Sequence, residues 1–419
     1  MNILVVGGGG REHAIVKKIS ESKRVEKIYC APGNGGISDI AECVPIKVME
    51  FDKLITFAKE KNVDLTVIGP DDPLVFGISD AFIKAGLKVF GPTKDGAQIE
   101  GSKVFSKELM KKYNIPTAKY EVFSDYNDAL SYITKENTFP TVIKAEGLAL
   151  GKGVIIANDL KEAEDALKEI MVDKVFGDSG NRIVIEEFLT GPEISVLSFC
   201  DGETIVPMVS AQDHKRAFDN DKGPNTGGMG TFSPSRIYNE KLQEECMNNI
   251  FIPTVKALKS EGITYKGVIF FGLMSTKNGV KVIEYNARFG DPETQVVLPR
   301  LKTDIVDIFE AVCDGTLKDI NVEWEDNACV CVVEASGGYP KKYQTGYEIS
   351  GLSDIEENIY VYHAGTKKED GKYYTAGGRV LGITAKSKDL DTAISDAYSA
   401  VNNINFTDVH YRKDIGIKW

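Results

Sequence analysis

Short apolar runs alternate with helical periodicity over residues 1–92. Runs at 3–6, 27–30, 64–68 and 88–90 read as buried parallel strands. The stretches near 11–22, 51–61 and 78–86 read as the helices that cross between them. That alternation predicts a doubly wound α/β unit, closed by Gly91-Pro92. A helix over 95–113, carrying Lys103 and Lys107, is expected next.

The rhythm then changes. Strands are expected near 118–123, 141–145, 154–157 and 183–188, with helices at 126–135 and 159–171 between them. Longer strands around one helix at 239–260 follow in 193–325. After Trp324 a new run at 328–334 opens an α+β piece that ends with a helix near 388–404. The expected class is multidomain, α/β and α+β: a doubly wound parallel-sheet domain at 1–102, a two-part core at 103–325 (lobes 118–190 and 191–325), and a small α+β domain at 326–419. A chain of 419 residues is too long for one core, which agrees with that division.

One strand carries concentrated chemistry. In Lys281-Val-Ile-Glu284-Tyr-Asn286-Ala-Arg288-Phe-Gly-Asp291-Pro-Glu293, positions two apart share a face. Glu284, Asn286 and Arg288 therefore line up, and Ile283, Tyr285 and Ala287 are expected to turn away. A carboxylate beside an amide oxygen suits Mg2+, which keeps room for waters and phosphates. An edge strand with a solvated polar face gives the same pattern.

Charge and cysteine content narrow the partners. Fifty Lys and Arg against 62 Asp and Glu give a net charge of −12, against a nucleic-acid partner. Anionic ligands must then be met by locally placed cations, amides or metal. The cysteines at 30, 43, 200, 246, 313, 329 and 331 form no C-x-x-C and lie mostly in apolar runs, as in a reduced cytoplasmic protein. Scattered histidines (13, 214, 363, 410) argue against a His-built metal site. The start at Met1-Asn-Ile-Leu-Val-Val reads as a strand and not a signal peptide, and no apolar run has membrane-spanning length.

Several glycine loops are candidate phosphate cradles. Gly7–Gly10 follow the first strand and open a helix, where Gly8, Gly9 and Gly10 can hold a phosphate or form a plain tight turn. Glu12 replaces the third glycine of a dinucleotide fingerprint, and no acid ends the second strand. Between two strands, Lys144, Gly147, Gly151, Lys152 and Gly153 bracket a loop whose amides can approach phosphate oxygens. Lys144 sits among apolar residues and so needs an anionic partner. The loop lacks the Gly-Lys-Ser/Thr of P-loop enzymes. Glu186, Leu189 and Glu193 surround a strand end that can read an adenine edge and ribose, or simply be solvated. Asp213-His214-Lys215-Arg216, followed by Asn225-Thr226-Gly227-Gly228, suits a zwitterion or phosphoester, or a surface loop.

Taken in order, these motifs resemble the ATP-grasp superfamily and, within it, the phosphoribosylamine–glycine ligase family. The resemblance rests on Gly-Gly-Gly-Gly-Arg-Glu-His at 7–13, Pro-Gly-Asn-Gly-Gly at 32–36, Gln-Asp-His-Lys-Arg at 212–216, Gly-Pro-Asn-Thr-Gly-Gly-Met-Gly at 223–230 and Asn-Ala-Arg-Phe-Gly-Asp-Pro-Glu-Thr-Gln at 286–295, and it covers the whole chain. It implies that ATP phosphorylates the carboxylate of glycine and that the amine of 5-phosphoribosylamine attacks the acyl phosphate. Glycinamide ribonucleotide, ADP and phosphate then leave, a step of purine synthesis.

The resemblance also implies roles. Glu284 and Asn286 hold Mg2+ (or Mn2+) on the ATP phosphates. Lys107 and Lys144 offset phosphate charge under the 147–153 loop. Glu186 and Leu189 meet adenine through backbone groups, and Glu193 meets ribose. Arg288 steadies the glycine carboxylate. Asp213, His214, Lys215 and 225–228 shape the amine and glycine sites, and Gly8–Gly10 hold the 5-phosphate. Asp213, His214 and Asp291 are all candidates to accept the amine proton. The strand at 267–274 lacks the further metal-binding acid of many superfamily members, which leaves the metal count open. Glycine, phosphoribosylamine and ATP are the expected partners, with no nucleic acid or membrane, and the chain is expected to be a monomer or weak dimer. The alternatives are another ATP-grasp carboxylate–amine ligase of purine synthesis, a nicotinamide-dependent oxidoreductase using the first domain, and a non-catalytic nucleotide-binding regulator.

Overall fold

In a computed structural model, residues 1–148, 153–353 and 355–417 are described. The first strand, Asn2–Gly7, feeds two cores by simple alternation. Leu4 and Val6 pack toward Leu54, Ala58 and Phe82, whereas Ile3 and Val5 pack toward Ile15, Val16 and Ile19. The five-stranded sheet around it is wholly parallel, in the order Glu42–Cys43, Lys27–Pro32, Asn2–Gly7, Leu65–Ile68, Val89–Phe90. Helices Gly10–Ile19, Phe51–Glu60 and Ile78–Lys84 form the crossovers, so the doubly wound expectation holds.

The helix expected over 95–113 is two helices, Lys94–Gly101 and Lys103–Lys112. Ser102 is extended and caps the second, its Oγ accepting from the Phe105 amide at 3.1 Å. The same hydroxyl donates to Glu146 at 3.0 Å, which fixes the break in space. Helical periodicity runs through this point, but the cap stops the helix.

Next comes an antiparallel sheet in the order Tyr120–Phe123, Ile183–Glu187, Thr141–Ala145, Val154–Ala157. A second antiparallel sheet runs Ile205–Pro207, Glu193–Cys200, Gly267–Thr276, Gly279–Asn286. The helical stretch at 239–260 has a π-helical turn at Met247–Phe251, and a further helix, Ile305–Asp314, lies beyond the sequence expectation. The last large sheet joins Gln212–Asp213 and Gly230–Ser233 to Ala328–Ala335, Arg379–Ser387 and Ile359–His363. Short strands from the middle of the chain are thus built into the C-terminal sheet. They carry the 212–230 segment against that sheet, beside the cleft. Among the described residues no helix is long and apolar enough to cross a membrane.

Candidate active site

The strand Gly279–Asn286 forms the floor of the cleft, and its register contains one irregularity. Gly272 pairs with Glu284 but Leu273 pairs with Val282, so Ile283 is an extra, bulged residue. Strict alternation would put Val280 and Val282 on the same face as Glu284. The bulge resets the count, and Val280, Val282, Tyr285 and Ala287 all reach one core. Glu284 and Asn286 remain together on the open face, as expected. Ile283 does not share the buried face with Tyr285, which corrects the simple period-two reading.

Above this strand, two buried lysines share one carboxylate. Lys107, Lys144 and Glu186 are 2 %, 5 % and 4 % exposed. Lys107 Nζ lies 3.0 Å from Glu186 Oε2 and donates to Thr117 Oγ1 at 2.8 Å. Lys144 Nζ lies 2.9 Å from Glu186 Oε1, an ion-pair contact without hydrogen-bond alignment, and donates to the Ile283 carbonyl at 3.2 Å. Burial pulls the Lys107 pKa down to about 8, with Glu186 pulling the other way. The anionic partner demanded by Lys144 is therefore Glu186. Glu186 contributes its side chain here, and its carbonyl accepts from Thr141 Oγ1 at 3.1 Å. Leu189 follows on the half-buried turn. Lys103 donates to the Gly147 carbonyl at 3.0 Å, and the Gly153 carbonyl accepts from Ala145. Gly151 and Lys152 lie outside the described residues.

Lys215 reaches in from the third side. Its Nζ lies 3.1 Å from Glu193 Oε2 and 3.4 Å from Glu284 Oε1. Lys215 and then burial act in opposite directions on Glu284, and the lysines at 215, 144 and 103 hold its pKa near 2. Burial works against the charge of Lys215, but Glu193, Glu284 and Asp213 outweigh it and raise its pKa well above the usual range. About a third of the Glu284 side chain stays accessible, so this ionised carboxylate can still take a ligand.

Alternation in the segment 213–215 separates two of the three proton-acceptor candidates, Asp213 and His214. Asp213 and Lys215 face the cleft. His214 points the other way, its ring 5.9 Å from that of Phe232 and its Nδ1 3.3 Å from the Gly230 carbonyl. Burial first, then Arg412, pull its pKa down to about 4. His214 thus lies on the face opposite Asp213 and Lys215. Asp291 is tied down by Arg379 Nη2 at 2.9 Å and Gln295 Nε2 at 2.7 Å. Burial opposes its charge, but Arg379 and Arg11 prevail and hold it below the usual carboxylate range. Asp213 behaves oppositely: burial, then its neighbour Glu293, raises its pKa well above the usual range.

The 225–228 loop lies over Asp213. Thr226 returns its hydroxyl to the Lys215 carbonyl at 2.8 Å, and the Gly228 amide donates to Thr226 Oγ1 at 3.0 Å. Gly228 has φ +110°, and a Cβ there would press on Pro292 and Asp213, so only glycine fits. Asn225 pairs in register with Arg216 on the adjoining hairpin. Two residues that the sequence reading missed hold this loop: Arg379 donates to the Gly227 and Asp291 carbonyls at 2.6 and 2.8 Å, and the Tyr339 hydroxyl accepts from the Gly227 amide at 3.1 Å. Both come from the C-terminal domain; Gly377-Gly378 before an apolar strand marks Arg379, and Gly337-Gly338 precedes Tyr339.

Arg288 sits where the cleft meets the first domain. Its Nη2 donates to Asn286 Oδ1 at 3.1 Å and lies 2.8 Å from Glu100 and 3.9 Å from Asp71. The Gly7–Gly10 turn is beside Asp291 and Gln295, and Glu12 caps it, accepting from the Gly9 amide at 2.6 Å. Glu12 thereby packs against Gly7, Gly9 and Gly69, which explains physically why the fingerprint departs from a dinucleotide site.

No cluster of three or more His, Cys, Asp or Glu side chains is arranged to hold a metal among the described residues. Glu284 and Asn286 offer two hard oxygens on one open strand face. That donor set fits a Mg2+ that takes its remaining ligands from phosphates and water.

Comparisons with known proteins agree along the whole chain. The family described as Phosphoribosylglycinamide synthetase, N domain, matches residues 1–100. The ATP-grasp (A) domain of the same synthetase matches 101–294, and its C domain matches 329–418. A phosphoribosylamine–glycine ligase from Caldanaerobacter subterraneus subsp. tengcongensis is 52% identical over 415 residues, 99% of each chain. One from Clostridium acetobutylicum is 51% identical, also over 99% of each. The crystal structure of the Thermotoga maritima ligase superposes with a TM-score of 0.86 at 32% identity, covering 99% of this chain and all of that one. A biotin carboxylase domain from Hydrogenobacter thermophilus 2-oxoglutarate carboxylase, solved with MgADP and bicarbonate, shares the fold at a TM-score of 0.75 and 17% identity, covering 98% of this chain and 91% of that one.

Proposed function

The chain belongs to the phosphoribosylglycinamide synthetase family, and on that footing we propose how its cleft joins glycine to 5-phosphoribosylamine, driven by ATP. A carboxylate is a poor acyl donor because its leaving group would be oxide. Transfer of the γ-phosphoryl group to a glycine carboxyl oxygen gives glycyl phosphate and ADP. The amine of phosphoribosylamine then attacks the acyl carbon, the C–N bond forms, the C–O bond to phosphate breaks, and one amine proton is released.

The observation that carries this reading is the gathering of Lys215, Lys144 and Lys103 about Glu284, with Lys107 joined to Lys144 through Glu186. Phosphoryl transfer is served by positioning and charge neutralisation more than by covalent chemistry. Lys107 and Lys144 offset phosphate charge, and Glu186 holds them in place between turnovers. Mg2+ held by Glu284 and Asn286 would supply further neutralisation of the β- and γ-phosphates. Leu189 and Glu186 border the adenine site and Glu193 the ribose. Gly147 and Gly153, the described glycines of the 147–153 loop, border the phosphates. Arg288 takes the glycine carboxylate as a charge-assisted partner. Asp213 accepts the amine proton, supported by its raised pKa and by the diversion of His214 and Asp291 to other contacts. Asn225, Thr226, Gly227 and Gly228 wall the phosphoribosylamine site, and Gly8–Gly10 receive its 5-phosphate.

The proposed domains remain 1–102, 103–325 and 326–419. The chain is proposed to act as a monomer or weak dimer. Seven cysteines without a disulfide among the described residues support the cytoplasm. The test is isotopic. Glycine carrying 18O in its carboxylate should pass one 18O to the released phosphate, and ADP should form only with glycine and phosphoribosylamine both present. Unlabelled phosphate, or ADP formed equally with bicarbonate in place of glycine, would sink the reading.

A further inference from the structure

Glu100 has no role in the scheme above, yet it is 7 % exposed and stands in the last turn of the helix Lys94–Gly101, against the strand that carries Asn286. A carboxylate out of water is costly unless both oxygens are used. Both are. Glu100 Oε2 accepts from the Ala287 amide at 2.7 Å, and Oε1 lies 2.8 Å from Arg288 Nη2. Ala287 is the residue between Asn286 and Arg288. One side chain thus grips the backbone and the guanidinium of consecutive residues.

Resting on the function just proposed, we propose that Glu100 is a positioning residue that aims the Arg288 guanidinium at the glycine carboxylate. Two acceptors are required for the two donors, and only Glu supplies them at this reach. A glutamine has one acceptor, and its NH2 would face the donor-only guanidinium. An aspartate is one methylene too short to satisfy both. Asp71, at 3.9 Å from Nη2, is a longer contact and cannot replace the pair. The position in the chain adds coherence. Between Glu100 and Lys107 run the Ser102 contact to Glu146, the Lys103 contact to Gly147 and the Lys107 contact to Glu186. One eight-residue segment therefore sets both the carboxylate-binding arginine and a phosphate-facing lysine.

The experiment compares the full chain with Glu100→Gln and Glu100→Asp. Steady-state kinetics give kcat and KM for glycine and ATP, calorimetry gives the affinity for ATP with Mg2+, and thermal unfolding gives Tm. Loss of one charge-assisted orienting contact should raise KM for glycine about tenfold or more and lower kcat/KM for glycine on the order of 100-fold, with ATP affinity within about threefold of the parent. Wild-type glycine kinetics in Glu100→Gln would overturn the proposal. So would equal losses toward glycine and ATP with a falling Tm, or failure of both variants to fold, since each marks a purely structural role. A parent chain without glycine-dependent ADP release would instead overturn the proposed function itself.

Discussion

Lys144 donates to the carbonyl of Ile283 at 3.2 Å, so the clamp lysine meets the cleft strand at its bulge, one residue ahead of Glu284. The bulge does two things at once. It turns Glu284 outward without taking Val282 from the core, and it presents a free carbonyl to a buried cation. The upper sheet and the floor of the cleft are joined at this point.

Glu284→Gln should fold normally, because the side chain lies on an open polar face. Turnover should fall by more than about 100-fold, since metal-assisted charge stabilisation is worth several kcal/mol. Saturating Mg2+ should recover part of the rate. Activity at parental level in low Mg2+, measured by coupled ADP release, would contradict the assignment.

Asp213 and His214 are adjacent in sequence and opposed in space. Asp213→Asn should lower kcat by about 10² to 10⁴, the range for a lost proton acceptor. His214→Asn should leave kcat within about threefold while lowering Tm, because its ring fills a buried site. Equal kinetic losses in both would mean that the His214 ring is turned toward the cleft during turnover.

Glu186 neutralises two buried lysines. Glu186→Gln leaves both without their counter-charge, and breaking such a pair costs about 3–5 kcal/mol. The denaturant midpoint should drop accordingly. A midpoint unchanged from the parent would show that solvent reaches these lysines.

Glu334 lies fully buried under the C-terminal helix with both carboxyl oxygens unpartnered, and burial raises its pKa to about 8. The folded chain therefore holds a proton that the unfolded chain releases above its ordinary value of 4.5. Stability tied to this group is complete below that value and declines as pH rises toward 8. Glu334→Leu should raise Tm, and should raise it more at pH near 8.5 than near 5. An equal gain at both would mean the carboxyl is ionised throughout.

Local patterns made much of this legible. The parallel sheet, the paired oxygens of Glu284 and Asn286 and the anionic partner demanded by Lys144 all follow from periodicity and burial. What escaped depends on distant contacts. The Ile283 bulge shows only in pairing with Gly272 and Leu273, and the helix break at Ser102 depends on its cap and on Glu146. Glu100 and Arg379 lie about 190 and 90 residues from the groups they hold, so no window of sequence contains both partners. Strand alternation alone could have separated Asp213 from His214, had the cleft-facing side been known.

The most direct measurement is a crystal structure with a non-hydrolysable ATP analogue, Mg2+ and glycine. The ion is expected within about 2.1 Å of oxygens from both Glu284 and Asn286, with the terminal phosphate directed at the glycine carboxyl group near Arg288. A triphosphate bound elsewhere, with Glu284 and Asn286 turned to bulk water, would contradict it.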